Sequence, residues 1–210
     1  MHQSEKPATM RAAFEAIHRQ DYWTNGSGPG SHPDNTIEYR AFLERFIKAN
    51  EIDAITDLGC GDWQFSRYMD WTRFRYTGLD IVPAIVERNA ELYAAPNIEF
   101  RLHQAPSDLP GGDLLIAKEV LQHLPNETVA EYLAVIADRY RLALLTNAIE
   151  PVERANIDID FGNWRPLRLE QAPFRARGAV IFNYFVFNSV PRIGNDFWKN
   201  GVFLLLGTRP

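Results

Sequence analysis

Apolar and polar positions fall into blocks whose spacing changes along the chain. Met10–Arg19 carries Phe14 and Ile17 beside Arg11, Glu15 and His18, an amphipathic pattern that predicts a helix. Residues 36–48 predict a second, with Phe42, Phe46 and Ile47 on one face and Arg40 nearby. Between them, residues 22–31 hold too much glycine for a regular element. Short apolar runs then take turns with helical stretches. Ile52, Ala54, Ile55 and Leu58 read as a buried strand, followed at once by two glycines and a helix-like run at 63–68. Residues 75–79 form a second strand ending on Asp80, and Pro83 suits the first turn of a helix reaching about Tyr93. Strands follow at 98–102, 114–117 and 142–145. Before the last of these, Asn126 can cap a helix in which Val129, Leu133, Ile136 and Tyr140 recur at spacings of four, three and four. Residues 179–187 and 201–206 are the final strands; no helix separates them, so they should pair antiparallel.

The first strand and its turn concentrate the chemistry. Asp57-Leu58-Gly59-Cys60-Gly61-Asp62 follows an apolar run, and strand followed by glycine turn is how α/β folds bring backbone N–H groups close to a ligand. Glycine serves there because a Cβ would block the approach and the turn can require φ > 0. Asp80 closes the next strand, twenty-three residues after Asp57, where an acid can accept both hydroxyls of a ribose. The dinucleotide fingerprint fails: a third glycine would fall at position 64, which is Gln64, so a nicotinamide cofactor is disfavoured.

The string D-L-G-C-G-D with a correctly spaced Asp80 resembles the first two motifs of class I S-adenosylmethionine (SAM)-dependent methyltransferases. The resemblance covers about residues 52–208. It implies a Rossmann-like α/β fold: a seven-stranded, mostly parallel sheet with helices on both faces and an antiparallel C-terminal strand. Residues 1–50 would add a helical lid segment, and residues 51–210 would form the SAM-binding domain. Carried onto this chain, the family pattern sets Gly59 and Gly61 against the methionine part of SAM, with Asp57 opening the motif. Asp80 would hold the ribose and Ile81 would pack on the adenine. Relatives often bind the adenine amino group with an acid after the third strand; here Gln104 through its carbonyl, or His103, must substitute. The glycine-rich stretch 26–31 is either a flexible linker or, as in many such enzymes, a lid over SAM touching it through Trp23, Gly28 and Ser31.

Lys118-Glu119-Val120-Leu121-Gln122-His123-Leu124-Pro125 is delivered by the fourth strand to the edge where such folds bind ligands. It resembles the E-V-x-x-H-L segment of many methyltransferases. Lys118 counts with the cofactor site. Glu119 and His123 stand four apart and would share one face of a helical turn. Either could be a general base, histidine having the pKa a hydroxyl acceptor needs, or both could simply fix the strand end. A neutral amine acceptor would need little beyond positioning. Some relatives bind a divalent metal through E-x-x-E-H here. This chain has Gln122 in place of the second glutamate, and losing an anionic oxygen weakens a magnesium site, so no metal is expected.

Residues 156–178 are polar and aperiodic, and carry Arg165, Arg168, Arg175 and Arg177 among Phe161, Trp164 and Phe174. They are either solvated charges on a long connection or part of the acceptor site, since loops of this length in compact domains are more often functional than idle. Arg165 and Arg168 would then bind an anionic group.

Composition narrows the reading further. The 210 residues, 46% hydrophobic, suit a single domain with a full core. A formal charge of −5 argues against non-specific nucleic-acid binding, although a ribose or RNA methyltransferase remains a rival. With Cys60 as the one cysteine there is no intramolecular disulfide and no cysteine-rich zinc site. No apolar run approaches membrane-spanning length, and a cytoplasmic protein is expected. The expected activity is methyl transfer from SAM, leaving S-adenosylhomocysteine (SAH), to oxygen or nitrogen of a small polar or anionic acceptor. The rivals on the same fold are an aminopropyltransferase and a non-catalytic nucleoside-binding protein.

Overall fold

The computed structural model describes residues 9–188 and 197–208. Seven strands, β1 (Ala54–Leu58), β2 (Arg75–Asp80), β3 (Ile98–Leu102), β4 (Gly112–Lys118), β5 (Tyr140–Ala148), β6 (Gly178–Phe187) and β7 (Phe197–Leu206), form one sheet in the order β3-β2-β1-β4-β5-β7-β6. Five run parallel through β5. β7 inserts between β5 and β6 and pairs antiparallel with both, so β6 points the same way as the first five. This is the expected Rossmann-like methyltransferase sheet. The expected connection over 191–200 falls largely outside the described residues; 197–200 are already strand.

Both faces of the sheet are buried, which is why the central strands read as continuous apolar runs. In β4 the pleat sends Leu115 and Ala117 to one core, and Leu114 and Ile116 to the other. The first core is closed by α1 (Met10–Arg19) through Phe14 and by α4 (Asn126–Arg139) through Val129, Leu133 and Ile136. The second is closed by α2 (Ile37–Ala49) through Tyr39, Leu43 and Ile47. Pro83 opens α3 (Pro83–Tyr93), which packs beside β2 and β3.

Two local expectations are corrected. The run after the glycine turn is not an α-helix. Trp63 takes φ 59°, a left-handed conformation that stops helical winding, and only Ser66–Tyr68 makes a short 3₁₀ turn. Asn126 does not cap α4. Asp158 does so from the late loop, its Oδ1 accepting the Asn126 N–H at 2.8 Å, while the Asn126 amide is spent on Asn156 and Arg165.

Candidate cofactor and active site

The carboxyl ends of the strands open on a cavity of about 1270 Å³. In the turn after β1, Gly59 and Gly61 take φ 68° and 54°. A Cβ on Gly59 would fall 2.4 Å from Val120 Cγ2, and one on Gly61 2.2 Å from Ser27 Oγ. Conformation and space both require glycine, and both residues face the cavity. Asp80 lines the adjoining wall beside Ile81. Its Oδ2 accepts the Gly61 N–H and its Oδ1 the Val82 N–H, each at 3.0 Å. One carboxylate thereby sets both the glycine turn and the entry to α3, and each oxygen keeps a lone pair for a ligand. Burial raises its carboxyl pKa, against the pull of those N–H groups.

Asp57 is placed differently. It lies behind the turn and off the cavity wall, accepting hydrogen bonds from the Tyr76 hydroxyl at 2.5 Å and from Ser66 at 3.4 Å. Burial pushes its carboxyl up to about 7.

At the end of β3 the chain turns so that Gln104 faces solvent and His103 faces the cavity. Of the two adenine-side candidates, His103 is therefore the one that geometry brings in. Its Nε2 meets the Tyr132 hydroxyl at 2.8 Å and its buried Nδ1 has no protein partner. Burial lowers its pKa, keeping the ring neutral.

The glycine-rich N-terminal stretch is docked on this site. The Ser27 hydroxyl donates to Asp62 at 2.6 Å and accepts the Asp62 N–H at 3.1 Å, and the Gln64 amide donates to the Asn25 carbonyl. The Asn35 amide donates to the carbonyls of Pro29 and Phe187, each at 2.9 Å. Trp23, Gly28 and Ser31 all line the cavity, and the Trp23 ring sits 4.9 Å from that of His123.

Past β4, the buried Lys118 ammonium donates to the Gly30 carbonyl at 2.6 Å and to Glu119 Oε2 at 2.5 Å. Glu119 takes φ 56°, and its Oε1 accepts the Trp198 indole N–H at 3.1 Å. Burial alone would raise the Glu119 pKa, but the Lys118 charge and the donors around it prevail and hold it low. A carboxylate tied at both oxygens and held ionised is a poor proton acceptor.

His123 is oriented on both sides. The Asn163 carbonyl, 2.9 Å from Nδ1, can only accept, so the proton sits on Nδ1. The Gln122 amide approaches Nε2 at 3.5 Å as a donor, consistent with a lone pair there. Burial brings the ring pKa down to about 4, so the imidazole is neutral at pH 7. Gln122 Oε1, where relatives carry a metal-binding glutamate, accepts the Ala148 N–H at 2.7 Å. Among the described residues no group of three or more His, Cys, Asp or Glu is placed to hold a metal ion.

Neither Arg165 nor Arg168 reaches the cavity. Arg165 is fully buried, donating to the Leu121 carbonyl and to Asn126 Oδ1, each at 2.9 Å. Burial lowers its pKa to about 10. Arg168 pairs with Glu170 at 2.8 Å. The loop instead brings Phe161, Gly162, Asn163 and Trp164 to the cavity, and β7 adds Phe197, Trp198 and Lys199. Phe161 and Trp164 are aromatics singled out in the late segment of the sequence, whereas Gly162, Asn163, Phe197, Trp198 and Lys199 carried no such signal.

Residues 56–141 match the family model of a methyltransferase domain, which runs from β1 into β5. No curated protein matches the sequence. Among solved structures, a SAM-dependent methyltransferase from Anabaena variabilis superposes at TM-score 0.62 with 16% identity, covering 99% of each chain. Magnesium protoporphyrin IX methyltransferase from Synechocystis, determined with bound SAM, gives TM-score 0.60 at 13% identity, covering 99% of this chain and 100% of that one. TehB from Haemophilus influenzae gives 0.57 at 15% identity; 80% of this chain matches, and it spans 62% of TehB's length. Residues 56–141 thus match a methyltransferase domain, and the strand order around the turn between Asp57 and Asp62 is that of the Rossmann-like methyltransferase fold.

Proposed function

We propose that the chain methylates oxygen or nitrogen on a small polar acceptor, with residues 1–50 acting as a lid over a SAM-binding domain formed by 51–210. The observation that carries this is continuity: one cavity joins Gly59, Gly61 and Asp80 to Glu119 and His123. SAM, when bound, supplies an electrophilic methyl on a sulfonium. The residues around the glycine turn fit it. The two glycines admit a close backbone approach, Asp80 has lone pairs for two ribose hydroxyls, and Ile81 with the unpaired His103 Nδ1 faces the adenine end. Trp23, Gly28 and Ser31 cover the cofactor and exclude water.

Toward the acceptor, the neutral His123 presents Nε2 as a hydrogen-bond acceptor that orients the nucleophile for attack on the methyl group. Glu119 acts as a positioning residue, holding Lys118 and Trp198. An anionic acceptor loses its support here, because Arg165 and Arg168 are occupied by Leu121, Asn126 and Glu170.

Calorimetric titration with SAM, SAH and NAD, each with and without magnesium, tests the cofactor side. Binding of SAM and SAH, indifferent to magnesium and absent for NAD, is expected; failure of both SAM and SAH to bind would overturn the proposal. With an acceptor in hand, His123→Ala should lower kcat by about 10² while leaving SAH affinity unchanged. Normal turnover would instead indicate an acceptor that needs no orienting contact from His123.

A further inference from the structure

The cavity has two halves of different chemistry. The half over β1, β2 and β3 is fully engaged by the cofactor assignment. The half over β4, β5 and β7 is aromatic. Three of the five tryptophans, Trp23, Trp164 and Trp198, are half-buried on the cavity wall, with Phe161 and Phe197 beside them. The other two, Trp63 and Trp71, are core residues at 5% and 3% exposure, with their N–H groups bonded to Tyr76 and to the Ser66 carbonyl. Half-buried aromatic rings facing an open cavity forgo part of their burial energy, a state usually found where another molecule completes it. A volume of about 1270 Å³ also exceeds the roughly 300–1,000 Å³ of a site for one drug-sized ligand, leaving room for a second molecule.

Charge in this half is neutralised or of the wrong sign for an anion. Lys118 and Glu119 cancel at 2.5 Å. The Trp198 N–H is committed to Glu119. At the rim stand Glu150 and Glu153 against Lys199, and among the described residues no arginine lines the cavity. Among the described residues, a carboxylate or phosphate would meet more negative than positive charge and find no planar donor fork. Among the polar groups on this wall is the neutral His123 ring, oriented by Asn163 and Gln122.

We propose, resting on the methyl-transfer reading above, that the acceptor is an uncharged planar aromatic compound whose ring is held between Trp164 and the Trp198 side of the cavity and whose hydroxyl meets His123. Three naphthalene-sized probes separate ring from charge: 2-naphthol, 2-naphthoate and the saturated analogue 2-decalol. Each is titrated into SAH-loaded protein. The expected result is that 2-naphthol binds at least tenfold more tightly than the other two. Trp164→Ala should weaken 2-naphthol at least tenfold with SAH affinity unchanged, and Trp164→Phe should restore most of it. Equal or tighter binding of 2-naphthoate or 2-decalol, or no binding of 2-naphthol to protein that still binds SAH, would overturn the aromatic acceptor and leave methyl transfer standing. Loss of SAH binding itself would overturn both together.

Discussion

Lys118 reaches back across the cavity edge to the carbonyl of Gly30, eighty-eight residues earlier, at 2.6 Å. The same ammonium neutralises Glu119, and Gly30 lies so close that a Cβ there would fall 2.0 Å from Glu119 Oε2. A lysine at the end of β4 therefore ties the N-terminal segment to the strand end that lines the cavity.

Removing that tie leaves a buried carboxylate without its counter-charge. Lys118→Met should cost about 3–5 kcal/mol of stability, the usual penalty for breaking one side of a buried pair. Adding Glu119→Gln should recover part of it. Urea unfolding of the single and double variants measures this. A single-variant loss below about 1 kcal/mol would mean that the pair contributes little.

Asp80 carries both the ribose assignment and the shape of the glycine turn. Hydrogen bonds to a charged group are worth about 1.5–3 kcal/mol. Asp80→Ala should weaken SAH binding roughly tenfold to a hundredfold, and Asp80→Asn less, because one oxygen still accepts. Unchanged calorimetric affinity in the alanine variant would remove Asp80 from the site.

Asp57 and His123 give opposing pH dependences. Burial raises Asp57 from 3.8 to about 7, so its folded form binds a proton that the unfolded form has lost, and stability falls as pH rises from about 4 to 7. His123 is lowered from 6.5 to about 4, so its contribution is complete above pH 6.5 and is lost as pH falls toward 4. In the parent the two partly cancel. Asp57→Asn removes one of them, and its unfolding free energy should climb more steeply between pH 5 and 6, by up to about 1.4 kcal/mol per pH unit. Curves that run parallel for parent and variant would refute the raised Asp57 pKa.

The two arginines should separate stability from catalysis. Arg168→Ala breaks a half-exposed pair with Glu170 and should change stability by no more than about 0.5–1 kcal/mol. Arg165→Met strips buried partners from the Leu121 carbonyl and Asn126, and should cost about 1–3 kcal/mol. Neither should alter KM for an acceptor, and a raised KM with normal stability would return that arginine to the acceptor site.

How much of this was legible in sequence follows from the range over which each feature is encoded. The order of strands and helices is a local property, because period-two and period-3.6 spacing of apolar residues decides which element can bury its face. Thus α1 and β3 were readable to the residue, and the turn at Gly59 and Gly61 with Asp80 beyond it lies within one strand–turn–strand unit. Trp63 defeated the local reading because its left-handed φ goes with a tertiary contact, the indole bond to Tyr76 at 2.8 Å.

Everything set by contact between distant segments stayed hidden. His103 and Gln104 are neighbours in sequence, and only the path of the chain leaving β3 turns one to the cavity and the other to solvent. An arginine in a polar loop has the composition of a ligand-binding group, yet Arg165 ends up fully buried because Leu121 and Asn126 offer it acceptors. Trp198 meets Glu119 across seventy-nine residues. The sequence by itself determined the fold and the cofactor turn, since both are written in short-range pattern. Which side chains face the cavity was decided by tertiary structure, where packing and the need to satisfy buried polar groups select among residues of equal chemical promise.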